Sequence, residues 1–325
     1  MRISRWRLLA IPLLPVFVAM GCGSDNGDEG GSGDTTPTSG GDTTPTSGEI
    51  PDGPTIRLVP QDFGESRTLT EVYGQYLEAK GYDVDIQDAS GFRDIVYPAL
   101  QEDKADIVID YTGSGASFVD ETGTPSPDPD ETYARLQAAV EGEDYQALEY
   151  SPAEDKNALV VLKTFADENS LTQISDLKAI EDQVVFGGSA QCIERPDCLL
   201  GYQSPDFYDL QFKEVRTIDY GPPLAAGLEE GALQAVQYQT TAPEIETGDF
   251  VILEDDKGML SADNIVPLVR TALLDEYGDD LTTAINELSA MLTTEDLIGW
   301  NSATDIDKEE PADVAEAWLE DKGLL

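Results

Sequence analysis

Apolar and polar positions follow two rhythms along this chain. Short apolar runs at 55–59 (TIRLV), 82–87 (YDVDIQ) and 106–111 (DIVIDY) predict strands. Between them Leu69, Val72, Tyr73, Tyr76 and Leu77 recur at helical spacing and stop at Gly81, and FRDIVYPALQ (92–101) reads as a second helix. PDETYARLQAAVEG (129–142) predicts another. Strand–helix–strand units of this length imply a parallel sheet covered on both faces.

A second block of the same kind starts near Asn157. ALVVL (158–162) and QVVFGG (183–188) predict strands, with SDLKAI (175–180) opening a helix between them. FKEVRTI (212–218), LQAVQYQ (233–239), DFVILE (249–254) and NIVPLVR (264–270) continue as strands. Helices follow through LTTAINELSAML (281–292), TTEDLIGWN (293–301) and PADVAEAWLEDKG (311–323). Two such blocks predict an α/β protein of two lobes, each a central sheet flanked by helices, with a ligand cleft between them. A single-domain α/β enzyme would give much the same periodicity.

The first 53 residues follow neither rhythm. Arg2, Arg5 and Arg7 precede an apolar run from Leu8 to Met20, too short and proline-broken to span a bilayer, which reads as a signal peptide. It ends at Ala19-Met20-Gly21-Cys22, which resembles the lipobox of bacterial lipoproteins, with Ala19 where leucine is usual. That resemblance implies cleavage after residue 21, lipidation of Cys22 and anchoring at the outer face of the cell membrane. Residues 22–53 are rich in Gly, Ser, Thr, Pro and Asp and repeat DTTPTSG twice, a composition that buries too little apolar surface to fold and predicts a disordered linker.

Composition narrows the chemistry. Nineteen Lys+Arg stand against 65 Asp+Glu, a net charge of −46; loss of residues 1–21 removes three arginines and no acid, leaving −49. Such a charge excludes nucleic acid and an anionic membrane surface as partners. The chain has no histidine, so a Ser-His-Asp triad, a Cys-His pair and a histidine metal cluster are all excluded. FGGSA (186–190) lacks the lysine of a phosphate loop and reads as a turn. Outside the cytoplasm, Cys192 and Cys198 predict a local disulfide, the alternative being two buried thiols. No enzyme, metal site or cofactor is implied, although a carboxylate-dependent extracytoplasmic hydrolase remains the rival reading.

Seven segments in fixed order carry more: VPQDFGES (59–66), DYTGSG (110–115), SDLKAI (175–180), ERPDCLLGY (194–202), AVQYQTT (235–241), VILEDDKGML (251–260) and DVAEAWLEDKGLL (313–325). Together they resemble the substrate-binding lipoproteins of osmoprotectant ABC importers, the glycine betaine/carnitine/choline group with a type II periplasmic-binding fold. The resemblance implies a monomer that captures a small zwitterionic or quaternary-amine solute and hands it to membrane permease subunits. It implies a first lobe of residues 54–154 plus 259–325 and a second of 155–258, hinged near 149–157 and 254–258.

The resemblance also implies site residues. Gln61 stands in the loop after the first strand, Tyr111 is one wall of an aromatic cage, and Ser114 closes the YTGS motif. Arg195 corresponds to an arginine that closes on a ligand carboxylate, and Tyr238 to a second cage tyrosine. Two cage positions depart from the pattern: Asn157 and Asp263 stand where relatives carry tyrosine. Each aromatic face holds a quaternary ammonium by about 0.5–2 kcal/mol of cation–π attraction. The substitutions therefore imply a different amine-bearing ligand as the alternative, with Asp263 attracting an ammonium directly.

Overall fold

The computed structural model describes residues 53–89, 91–120, 122–247 and 249–325. The signal segment, Cys22 and the linker lie outside these residues, apart from Gly53. Elements run in the order β1 (Ile56–Leu58), α1 (Gly64–Lys80), β2 (Val84–Ile86), α2 (Arg93–Gln101), β3 (Ile107–Tyr111), α3 (Thr112–Val119), α4 (Pro129–Ala139) and β4 (Tyr145–Ala147). Then come β5 (Asn157–Leu162), α5 (Lys163–Asn169), β6 (Val185–Gly188), α6 (Ala190–Glu194), α7 (Leu199–Gln203), β7 (Glu214–Thr217), α8 (Pro222–Glu229), β8 (Ala235–Gln239) and β9 (Phe250–Ile252). The chain closes with β10 (Ile265–Arg270), α9 (Thr271–Tyr277), α10 (Asp279–Ser289), α11 (Thr294–Asn301) and α12 (Pro311–Lys322).

The strands form two five-stranded sheets, ordered β2-β1-β3-β10-β4 and β7-β6-β8-β5-β9. Each sheet carries its own cores. Tyr73, Leu77, Ile109, Ile285 and Trp300 meet on one face of the first sheet, and Val96, Leu100, Val108 and Leu136 on the other. Phe186, Tyr202, Leu210 and Met259 pack on one face of the second sheet, and Leu224, Leu228 and Val236 on the other. This is a two-lobed α/β fold, as the two blocks of alternating pattern predict.

The sheets are mixed, where the strand–helix–strand units imply a parallel one. β1 pairs parallel with β2 and β3, and β6 with β7 and β8, through helical crossovers. By contrast, β10 runs antiparallel to β3 and β4, and β5 to β8 and β9. The reason is topological. Both β5 and β10 enter their sheet from the other lobe, so no helical crossover dictates their direction. The two crossing segments touch through an isolated antiparallel bridge between Glu154 and Asn264.

SDLKAI, predicted to open a helix, forms instead a short 3₁₀ turn over Ile174–Ala179. Its cap is reciprocal: Asp176 Oδ2 accepts from the backbone N–H of Gln173. Helix α1 lies tightly on the sheet because position 74 is glycine. A Cβ there would fall 2.4 Å from Ile86 Cδ1.

Candidate functional site

A cavity of about 580 Å³ opens where the lobes meet, within the range typical of small-molecule sites. From the first lobe, Phe92, Arg93, Ser114, Phe118 and Arg135 line it. Arg195 and Asp197 line it from the loop between α6 and α7 in the second lobe. That loop is tied at both ends by a disulfide between Cys192 and Cys198, whose Cα atoms lie 5.3 Å apart.

The YTGS motif builds the first wall. β3 ends at Tyr111 and turns straight into α3, so Ser114 sits in the helix's first turn. Asp263, on the returning segment before β10, closes that turn. Its Oδ1 accepts from the backbone N–H groups of Gly113 and Ser114, both at 2.8 Å, and its Oδ2 from Ser114 Oγ at 2.6 Å. A carboxylate there complements the positive end of the helix. Glycine at 113 permits the approach, since a Cβ would meet the Ala262 carbonyl at 2.4 Å. Burial pushes the Asp263 carboxyl up to about 7, against the opposing pull of Ser114 and of Arg93.

Arg195 faces the cavity with its charge already matched. Its Nε donates to Asp197 Oδ1 at 3.0 Å, and its terminal nitrogen reaches Asp197 Oδ2. Asn157 Nδ2 also donates to Asp197 Oδ2, at 3.1 Å, while Asn157 Oδ1 accepts from Gln237 Nε2 at 2.8 Å. Gln61 is fully buried behind the first wall. Its Nε2 donates to Asp110, which also takes both Arg93 nitrogens and the Tyr97 hydroxyl. Thus Ser114 and Arg195 line the cavity, Asp263 and Asn157 stand one contact behind it, and Gln61 stands two behind, through Asp110 and Arg93.

Tyr111 and Tyr238 do not line this cavity. Strand alternation turns Tyr111 to the face of β3 opposite Asp110, where its hydroxyl donates to Glu65 Oε1 at 2.6 Å and its ring lies 6.2 Å from Phe63. Tyr238 is 1 % exposed, donates to the Gly221 carbonyl at 2.7 Å, and lies 5.3 Å from the ring of Tyr220, which is 42 % exposed.

Beside Tyr111 the lobes are joined by a polar cluster of Glu65, Asp155, Thr241 and Asn301. Thr241 Oγ1 lies 2.9 Å from Glu65 Oε2 and 2.7 Å from Asp155 Oδ1. Asn301 Nδ2 donates to Glu65 Oε2 at 2.6 Å and to Thr241 Oγ1 at 3.2 Å. Burial raises both carboxyls above their usual range, and their mutual repulsion pushes Asp155 further. The single Thr241 hydroxyl proton cannot be given in full to both carboxylates, so this junction favours uptake of a proton by the pair. In so acidic a chain no local pattern singles out Glu65 or Asp155. Arg93 and Arg135 did carry a signal, the scarcity of basic residues.

A family model for the substrate-binding domain of the ABC-type glycine betaine transport system matches residues 54–321. The chain belongs to this family. It is an extracytoplasmic solute-binding protein of an ABC importer, and the family's role is binding rather than catalysis. A glycine-betaine-binding protein of Pseudomonas aeruginosa is 27 % identical over 286 residues, covering 83 % of this chain and 89 % of its own. The carnitine transport binding protein OpuCC of Listeria monocytogenes is 24 % identical, over 82 % of this chain and 86 % of its own. A solved glycine betaine/carnitine/choline ABC transporter structure superposes with a TM-score of 0.72 at 22 % identity, covering 83 % of this chain and 99 % of that one. Apo YehZ of Escherichia coli gives 0.66 at 22 % identity, over 84 % of this chain and all of the other. These likenesses carry the two-lobed type II periplasmic-binding fold. Among the described residues no helix is long and apolar enough to cross a membrane.

Proposed function

We propose that the cavity between the lobes takes a small zwitterionic or quaternary-amine solute, and that closure around it prepares the protein for its permease. The observation that carries this is that Ser114 of the first lobe and Arg195 of the second line one cavity. A ligand touching both stabilises the closed arrangement. Support for the ligand class comes from the relatives, whose names specify glycine betaine and carnitine. In this reading the lobes comprise residues 54–154 plus 259–325 and residues 155–258, with the two crossing segments as hinge. Titration calorimetry with glycine betaine, carnitine and choline tests it.

A different amine-bearing ligand is the second reading. Asn157 and Asp263 supply no aromatic face, and both Asp263 oxygens are engaged at the start of α3. In their place Phe92 and Phe118, 45 % and 43 % exposed, offer aromatic surface along the cavity.

We also propose that the mature protein is a monomer attached to the membrane through a lipidated Cys22, the attachment being supported by the basic start, the apolar run and Ala19-Met20-Gly21-Cys22. A Cys22→Ser variant is expected to leave the membrane fraction or to remain unprocessed. A variant that matures and partitions like its parent removes the lipoprotein reading.

A further inference from the structure

Resting on that reading of the cavity, we propose that Arg135, rather than Arg195, receives the ligand's acidic group. Three arginines line the cavity, and two have no charge to offer. Arg93 is held by Asp110 through two hydrogen bonds, at 3.0 and 2.6 Å. Arg195 is held by Asp197 through the same two-point geometry. A ligand carboxylate that took Arg195 would strip Asp197 of its cation while that side chain is only 14 % exposed, and stranding a half-buried charge is costly.

Arg135 differs. Projecting from α4, its terminal nitrogen donates to the backbone carbonyl of Asp120 at 2.8 Å, and its Nε is buried without a partner. The Asp120 carboxylate is turned elsewhere, accepting from the backbone N–H and the hydroxyl of Thr122 at 3.0 and 2.6 Å. Among the described residues Arg135 is the arginine with no carboxylate within ion-pairing distance, in a chain with 65 acidic side chains. It is anchored by one end: Gly123 packs on it so closely that a Cβ would lie 2.1 Å from Nε. Its charge is felt by the Asp120 carboxylate through space but is not ion-paired, and such a positioned guanidinium at a cavity wall is suited to a carboxylate.

The rest of the cavity fits the other end of such a ligand. Asp94 and Glu194 line it from opposite lobes, both exposed, and Phe92 and Phe118 stand beside them. Carboxylates with aromatic faces attract an ammonium, so the ligand's positive end lies toward these groups and its acid toward Arg135.

Glycine betaine and choline form a matched probe pair, sharing a trimethylammonium head and differing in carboxylate against alcohol. Calorimetry on the wild-type protein is expected to show tighter binding of the acid. Arg135→Gln is expected to weaken glycine betaine about tenfold or more while leaving choline within about threefold, as loss of one charge-assisted fork requires. Equal losses for both probes, or an unchanged preference, overturn the assignment. Should Arg135→Gln fail to fold, Arg135→Lys decides. The charge stays and the fork is lost, so the preference shrinks without vanishing, and a wild-type preference in that variant overturns the assignment. A wild-type protein that binds neither probe instead removes the reading of the cavity on which this rests, and the two failures are thereby told apart.

Discussion

At the scale of single residues, the raised carboxyls of Glu65 and Asp155, joined through Thr241, have a measurable consequence. Both carboxyls are raised above their usual range, chiefly by burial. A group whose folded-state pKa is raised contributes stability that is complete below its unfolded pKa and is lost as pH rises through the folded one. The cluster therefore favours the folded, joined lobes in acid and weakens them toward alkaline pH. Asp263, pushed up to about 7 mainly by burial, acts with the same sign, its contribution complete below about 3.8 and lost as pH rises through about 7. Glu65→Gln can present its oxygen to Asn301 and Thr241 and its amide to Tyr111 without any titrating proton. Relative to wild type, this variant is expected to gain stability as pH rises, because wild type loses the contribution of its raised carboxyl while the amide does not titrate. Parallel pH profiles for the two proteins in thermal melts would contradict a raised Glu65 carboxyl.

The sequence made Ser114 and Arg195 legible because each sits in a motif whose glycine or cysteine fixes a turn. It could not show that Arg195 already has Asp197 as partner, two residues on. That pairing depends on the loop's closure by the disulfide and on Asn157 reaching Asp197 from β5. Nor could it place Tyr111 on the face of β3 away from the cavity, since strand register decides that face.

At the scale of elements, the longer helices and most strands follow directly from periodicity. Helix α1 presents Leu69, Val72, Tyr73, Tyr76 and Leu77 to the core as its spacing predicts, and Gly81 ends it in the left-handed conformation at φ 101°. What periodicity does not show are elements too short to display a period. Helix α3, with two glycines in eight residues, owes its start to Asp263 rather than to propensity. The 5-residue helices α6 and α7 are likewise defined by their surroundings, here the Cys192–Cys198 bridge between them. Replacing both cysteines by serine is expected to lower stability by less than about 3 kcal/mol, the chain-entropy limit for so short a loop. The same variant should loosen the Arg195–Asp197 pair, read as faster hydrogen exchange over residues 190–203. Unchanged exchange there would mean that packing alone holds the loop.

For the whole molecule, the two-lobed architecture was legible from two successive α/β blocks, while the direction of β5 and β10 was not, because each follows a passage between lobes. Among the described residues those two passages, bridged at Glu154 and Asn264, are the chain connections a hinge would have to bend. The charge of −46 makes the lobes repel at low ionic strength. A small cation held between them relieves part of that repulsion, and salt screens it over about 10 Å at 0.1 M. The central claim is that the lobes close on one small amine-bearing solute. Calorimetric titration of the folded protein with glycine betaine, carnitine and choline tests it most directly. Saturable binding of at least one of them, with one molecule per chain, is expected; the absence of binding heat for all three, in a protein that melts cooperatively, would contradict closure on such a solute.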